Sequence, residues 1–441
     1  MKIRYLPMFL PLLATVLFSG CFLGIKREVV IDWAPKEYEP LVTTNTIAVC
    51  YGDGARLLNT PARREFHDFI DQAGLQFQEG VKEAAGEAVA AELANGLNEN
   101  PATFLKDMTG LEESDVKWTL TGVENFRIDL SDLDAIAEKG IDFPRVYAAV
   151  HTSKPLDVER AAGNIKAFIE KSFAEDGAEG TNALAEVRKV IRVEKTDYRG
   201  AVAYRLRVDN EEFAKYLHGF APVVTTMPGG YLTVMATSEE LLDEVWGLYN
   251  GDIPAAPADS AIAKELQIPD DVVCRFAFPA IGDFIRSHLT DELAASVADD
   301  ELASGFLNEI VALRYDSGAM PDSPVLFERL AVDFASEATA ANIAESIRAA
   351  YNVAAGFVQI GLAERPELAF VTKILQGIQI ANSGNTCVVA VPVKLEDLKG
   401  VDFKALGRSA AECLPEANED GELDENGFND IFGGGEEESQ E

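Results

Sequence analysis

The sequence predicts an α+β fold in two modules, each a largely antiparallel sheet covered by helices on one face. Three observations point to it. Two adjacent runs alternate apolar and polar residues around a turn, an order of strand, helix, paired strands, helix and strand occurs twice, and a Pro- and Ala-rich stretch separates the two occurrences. The recurrence suggests a distant internal duplication, although no exact repeat is visible. With 441 residues, 47% of them hydrophobic, the chain has material for two or three packed domains.

The globular part is expected to begin near Asn45, with a strand at Ile47 to Tyr51. A helix follows whose apolar positions Phe66, Ile70, Ala73, Phe77, Val81, Ala84 and Ala88 recur every three or four residues. That stripe is read as packing on the sheet of its own module. Val116 to Gly122 and Phe126 to Leu130 read as a hairpin, Val146 to His151 as a strand, and the residues after Pro155 as a helix reaching Phe173. The alternating pair comes next: Ile191 and Val193 against Arg192 and Glu194, a turn at Asp197 to Gly200, then Val202, Tyr204, Leu206 and Val208 against Ala203, Arg205, Arg207 and Asp209. A strand at Tyr231 to Ala236 ends in Thr237-Ser238-Glu239-Glu240, a capping-box pattern that opens a helix to Tyr249.

Gly251 to Ser260, with Pro254 and Pro257, marks the boundary. Beyond it the order recurs: a strand at Val272 to Phe278, helices at Ile281 to Leu289 and Asp291 to Leu307, strands at Ile310 to Tyr315 and Leu326 to Phe334, a long helix after Ser336, and a strand at Thr386 to Val393. The long helix carries Ile343, Ile347, Tyr351, Ala354, Val358 and Leu362 on one side. The expected organisation is a signal peptide at 1–20, a lipidated cysteine and tether at 21–44, an α+β domain at 45–250, a linker at 251–262, a second α+β domain at 263–408 and an acidic disordered tail at 409–441.

The N-terminus carries the strongest functional signal. Lys2 and Arg4 precede an apolar run from Leu6 to Phe18, and Ser19, Gly20 and Cys21 follow. The stretch Leu17-Phe18-Ser19-Gly20-Cys21 resembles the lipobox of bacterial lipoproteins. That resemblance implies cleavage before Cys21, diacylation of its thiol and a palmitate-type acyl anchor. With Phe22 rather than Asp after the cysteine, it also implies outer-membrane rather than inner-membrane placement, facing the periplasm or the surface. At about 0.8 kcal/mol per buried CH2, two or three acyl chains hold a protein to a bilayer without a spanning helix. The order of elements, with Thr109-Gly110-Leu111 before a strand, is similar to that of exported bacterial proteins with no assigned activity, and this likeness supplies no catalytic residues.

Composition excludes one class of partner. The chain has 74 acidic against 38 basic residues, a net charge of -36, so phosphate backbones repel it and nucleic acid is not an expected partner. Twelve of those acids, from Glu412 to Glu441, follow the last basic residue, Arg408. Cys50, Cys274, Cys387 and Cys413 form no C-x-x-C. The first three lie in apolar runs that read as buried strands carrying free thiols, and an oxidising compartment leaves disulfides open. His67, His151, His218 and His288 show no metal-ligand spacing.

Other motifs are incomplete. Gly52-Asp53-Gly54 lacks the third glycine of a dinucleotide loop and reads as a turn. Ser114-Asp115-Val116-Lys117 has the S-x-x-K spacing without its companion triplets, and it enters a strand where Ser and Lys face opposite ways. Asp424-Glu425-Asn426-Gly427-Phe428 echoes the middle of a calcium loop that lacks its end ligands. No cofactor or metal is expected and no catalytic residue is identified. The reading is a membrane-anchored envelope lipoprotein with a non-enzymatic interaction or structural role and an envelope protein as partner. The alternatives are a solute-binding lipoprotein using an interdomain groove and a hydrolase whose site assembles in space.

Overall fold

The computed structural model describes residues 41–54, 56, 60–87, 90, 106–124, 141–142, 144–175, 191–208, 217–218, 221–288, 301–320, 323–362 and 366–411. The expected signal peptide, Cys21, the tether before residue 41, the strand at Phe126 to Leu130, Cys413 and the tail beyond Ala411 lie outside them.

Strand β1 (Thr46–Asp53) sits in the middle of the fold. It pairs antiparallel on one side with β2 (Val116–Glu124) and on the other with β10 (Val272–Phe278). Outward from β2 come β4 (Val146–Thr152), β9 (Leu232–Ala236), β8 (Val223–Thr226), β6 (Ala201–Val208) and β5 (Ile191–Tyr198). Outward from β10 come β11 (Ile310–Ala319), β12 (Val325–Phe334), β14 (Thr386–Lys394) and β13 (Gln379–Ser383). All these neighbours are antiparallel and build one 12-stranded sheet, while β3 (Ile141–Asp142) and β7 (Leu217–His218) form a separate parallel pair. Both edges of β2 are occupied by β1 and β4, so its partners are distant in sequence rather than the adjacent segment expected for a hairpin. The alternating pair β5 and β6 forms the predicted hairpin, with Arg199 and Gly200 of the turn at positive φ.

Within each half the spatial order is the same. The first, second and third long strands, β1-β2-β4 or β10-β11-β12, lie side by side. The last strand, β9 or β14, returns to the third, and the strand paired beyond it is β8 or β13. The first half adds the β5/β6 hairpin at its edge. The expected linker does not lie over a gap: Ala256 N–H donates to Val42 C=O, and β1 is hydrogen-bonded to β10 beside it.

The helices are α1 (Pro61–Ala85), α2 (Val158–Glu175), α3 (Glu239–Asn250), α4 (Ala261–Glu265), α5 (Ile281–His288), α6 (Glu301–Glu309), α7 (Glu337–Leu362), α8 (Ala369–Gly377), α9 (Leu395–Leu398) and α10 (Phe403–Ala411). Helix α3 is capped by Ser238, whose Oγ accepts from Leu241 N–H, rather than by the Thr237 of the predicted box. Thr237 is diverted to the sheet, where its Oγ accepts from Val146 N–H.

Coverage is on both faces, not on one as the sequence suggested. Pairing across the ladder puts Val49, Ala277, Arg314, Ala331 and Val388 on one face. In the first half that face carries the main core: Val49, Tyr51, Trp118, Leu120, Tyr147, Ala149 and Val234 lie under Leu241, Leu242, Val245 and Trp246 of α3 and Ile262 of α4. In the second half the apolar core is on the opposite face, where Val332, Phe334 and Cys387 pack on Ala340, Ile343 and Ala344 of α7. The α2 helix also reaches that opposite face, through Glu159 to Lys195 at 2.6 Å.

Helix α1 departs from its expected place as well. Phe66, Ala73 and Val81 are buried as the stripe requires, but Ile70 is exposed. The helix packs along α10, from the far end of the chain, rather than chiefly on its own sheet. Gly80 and Gly407 allow that contact: a Cβ on Gly80 would stand 2.0 Å from Lys404 C=O, and one on Gly407 2.1 Å from Phe77 C=O. Lys404 bonds Glu79 and Glu83, and the Phe69 and Phe403 rings meet edge to face at 5.6 Å. The expected tail therefore starts as ordered helix through Ala411.

Candidate functional site

Across the seam from β1, the face that carries the apolar core in the first half carries charge in the second. Arg275 on β10 grips Asp316 on β11 with two hydrogen bonds, 2.6 and 3.1 Å, and Arg329 on β12 adds two more at 3.2 and 2.8 Å. Arg314 reaches Asp333 at 2.9 and 3.0 Å, Thr386 donates to Asp333 at 2.6 Å, and Glu265 at the end of α4 lies 3.8 Å from Arg275 and 3.6 Å from Arg314. Asp316 is 3% exposed and Arg275 7%. The residue types follow from burial: fork-shaped guanidinium groups can satisfy both oxygens of a carboxylate in place of water.

Burial pushes the Asp316 carboxyl up, and the bonds and charges of Arg275 and Arg329 more than offset it, leaving its pKa below the ordinary value. Glu265 goes the other way. Burial raises it, with repulsion from Asp333 and Asp316 adding to that, and the more distant guanidiniums do not cancel the rise. Three arginines and three carboxylates balance within the cluster, so its charges are spent on one another.

Two polar groups in the first half are built the same way. Glu124, 2% exposed, accepts from Thr43 at 2.6 Å and Arg145 at 2.7 Å, and Arg145 extends to Glu244 of α3 at 2.5 Å. Tyr147 joins through Thr46 at 3.1 Å, with its phenol pushed by burial to about 12. A Cβ at Gly122, opposite Tyr147 in the ladder, would fall 2.2 Å from that ring, so glycine makes its room. Asp115 accepts from Ser153 Oγ at 2.9 Å and Lys154 Nζ at 3.0 Å. Burial raises its carboxyl, and Glu112 N–H, Lys154 and Ser153 together bring it below the ordinary value. A carboxylate held so firmly in its charged form is a weak base toward Ser153, so this group ties β2 to the loop after β4.

Of the residues singled out from sequence, Cys50 and Cys274 come together across the β1/β10 ladder, while the histidines and the S-x-x-K residues fall on separate elements. Ser114 and Asp115 end a 3-10 turn and Lys117 is in β2, as the S-x-x-K reading required for its rejection. Gly52 and Asp53 are not a turn but the last residues of β1, paired with Thr119 and Trp118 of β2; Asp53 Oδ1 accepts from Arg56 N–H at 2.8 Å, and Arg56 reaches across to Pro269 and Val272 carbonyls at 2.8 and 3.0 Å. His151 stacks on Trp118 at 5.5 Å, His67 lies on α1, His218 on β7 and His288 at the end of α5. Among the described residues no cluster of three His, Cys, Asp or Glu is arranged to hold a metal. Cys387 is buried as expected, with its thiol pushed up by burial, whereas Cys50 and Cys274 are only half-buried and interact with each other. A depression of about 310 Å³ lies between α8 and the turn after α9, lined by Phe370, Lys373, Asp397 and Lys399 among others. At the seam between the halves stands the β1/β10 ladder.

What the charged clusters leave open, the outer side of α7 supplies. After Arg348 the helix carries no charge through Leu362. Val353, Phe357 and Ile360 are 62%, 72% and 73% exposed, at spacings of four and three that align them on one side. At 1.5 Å per residue they form a ridge about 10 Å long. The predicted stripe of this helix is inward only in part: Ile343 is buried and Tyr351, half-buried, donates to Leu375 C=O, but Ile347, Ala354 and Val358 are exposed, and the stripe gave no sign of a second apolar side. Among the described residues no helix is long and apolar enough to cross a membrane.

Comparison with known protein families, curated proteins and solved structures finds no match for the chain, so the site is read from its own geometry.

Proposed function

We propose that the protein is a lipid-anchored component of a bacterial envelope, tethered through acylated Cys21, that acts by binding an envelope protein rather than by catalysis. The observation that carries the binding role is the α7 ridge. Large apolar side chains exposed in a row are costly in water and mark contact surfaces, and these sit on an otherwise strongly acidic protein. The charged clusters, internally balanced, suit a scaffold that holds the ridge in place. The resemblance of Leu17 to Cys21 to a lipobox supports export across the inner membrane and an anchor in the outer membrane.

We also infer that the two halves are modules descended from one duplicated unit. The matching order β1-β2-β4-β9-β8 and β10-β11-β12-β14-β13 supports it, with β1 and β10 meeting antiparallel as the equivalent first strands. Aligning Cys50 with Cys274 pairs each first strand with the other about Tyr51 and Arg275, which face each other in the register.

The test is extraction of the full-length protein from its native membrane in mild detergent, followed by mass spectrometry of the protein and its companions. The expected protein begins at an acylated Cys21 and brings down a stoichiometric partner that Phe357→Asp loses. A Cys21→Ser protein that stays membrane-bound would contradict the anchor, and a partner retained by Phe357→Asp would contradict the ridge.

A further inference from the structure

The central ladder brings together two cysteines that the sequence keeps far apart. Cys50 stands opposite Phe276 and Cys274 opposite Gly52, so the two side chains are diagonal neighbours on one face of the β1/β10 pair. Gly52 matters here: it presents no side chain across from Cys274, which leaves room for that side chain to lean toward Cys50. Both residues are partly accessible, unlike buried Cys387. From the register, the glycine opposite and the shared accessibility, we propose that Cys50 and Cys274 form a disulfide that staples the two halves of the sheet at their seam.

The chemistry favours Cys50 as the attacking group. A hydrogen bond from Cys274 holds the Cys50 thiol below its ordinary pKa, more than offsetting burial. The oxidant is a small-molecule or protein disulfide. Cys50 thiolate attacks one of its sulfurs, the oxidant S–S bond breaks and one thiolate leaves. Cys274 then gives up its proton and attacks Cys50 in the mixed disulfide, releasing the second thiolate. Two protein S–H bonds and one oxidant S–S bond are exchanged for one protein S–S bond and two oxidant thiols. Because the bond would close a loop spanning almost all of the first half, it constrains the unfolded chain strongly. The proposal rests on the fold alone and does not require the envelope location.

The full-length protein, reduced and then titrated with oxidised glutathione under native conditions, is digested without reduction and mapped by mass spectrometry. The expected product is a linked peptide pair containing Cys50 and Cys274, formed at no more than about one-tenth of the oxidant concentration needed to modify Cys387. Its formation raises the thermal midpoint by about 4 °C, reversibly with dithiothreitol, and Cys50→Ser loses that shift. Cys50 and Cys274 recovered as separate glutathione adducts, linked to other cysteines, or still alkylatable after Cys387 has reacted would each overturn the proposal.

Discussion

On one face of a single sheet, the first half buries Trp118, Leu120, Tyr147 and Val234 under α3, while the second half, with the same strand order, sets Arg275, Arg314, Asp316, Arg329 and Asp333 in a charged row. The second half keeps its apolar core on the other face, under α7. The contrast teaches that strand order fixes which backbones meet but not which face becomes the core. That choice lies with the alternation of side chains along each strand. It also places the exposed ridge: α7 packs its first turns on the second core, and its later turns carry Val353, Phe357 and Ile360 outward.

The largest expected effect breaks the first-half core. Trp118→Ala removes a side chain that is 1% exposed and stacked on His151, and costs about 3–5 kcal/mol in urea unfolding. Asp316→Ala comes next, because it strands Arg275 and Arg329 beside each other. A loss of about 3 kcal/mol is expected, and joint replacement of Arg275, Asp316 and Arg329 by Met, Leu and Met restores most of it. If the single change is harmless, the charged row is not the counterpart of a core.

The pH dependence sharpens the comparison further. Asp316 has a folded pKa below its unfolded one, so its contribution is complete above about pH 4 and fades as pH falls through the folded value. Glu265 has a raised folded pKa, so the native state keeps its proton longer than the unfolded chain, and its contribution declines as pH rises from about 4.3 through the folded value. Urea midpoints measured across pH 3–8 should therefore show a shallower decline on the alkaline side of that window for Glu265→Gln than for the wild type. The smallest stability effect belongs to the ridge: Phe357→Ser changes unfolding by less than about 0.5 kcal/mol, since its ring is mostly in water already.

The parts of this fold legible in sequence are those written in local periodicity. The β5/β6 hairpin follows from alternation through Val202, Tyr204 and Leu206, whereas the stripe on α7 holds only at its start, where Ile343 is buried and Ile347 and Val358 are exposed. The recurring order of elements was legible only in part, since the halves share a five-strand spatial order but the first adds the β5/β6 hairpin and the helices follow in a different sequence. The seam was not. The boundary at Gly251 to Ser260 came from Pro and Ala content, which marks a surface segment but says nothing about whether flanking strands pair. The partners of Arg275 and Asp316, the Cys50 contact with Cys274 and the packing of Gly80 on α10 all join residues distant in sequence. An exposed ridge looks the same in sequence as a buried one, because apolar spacing does not record which side of a helix the sheet covers.

The most direct test of the one-sheet account is amide hydrogen exchange on the native full-length chain, resolved at β1 and β10. If the halves are joined as one sheet, Val49, Tyr51, Arg275 and Ala277 are central-strand residues, and peptides covering them exchange as slowly as those of β2 and β11. Exchange there as fast as at the outer strands β5 and β13 would mean that the two halves meet as separate sheets.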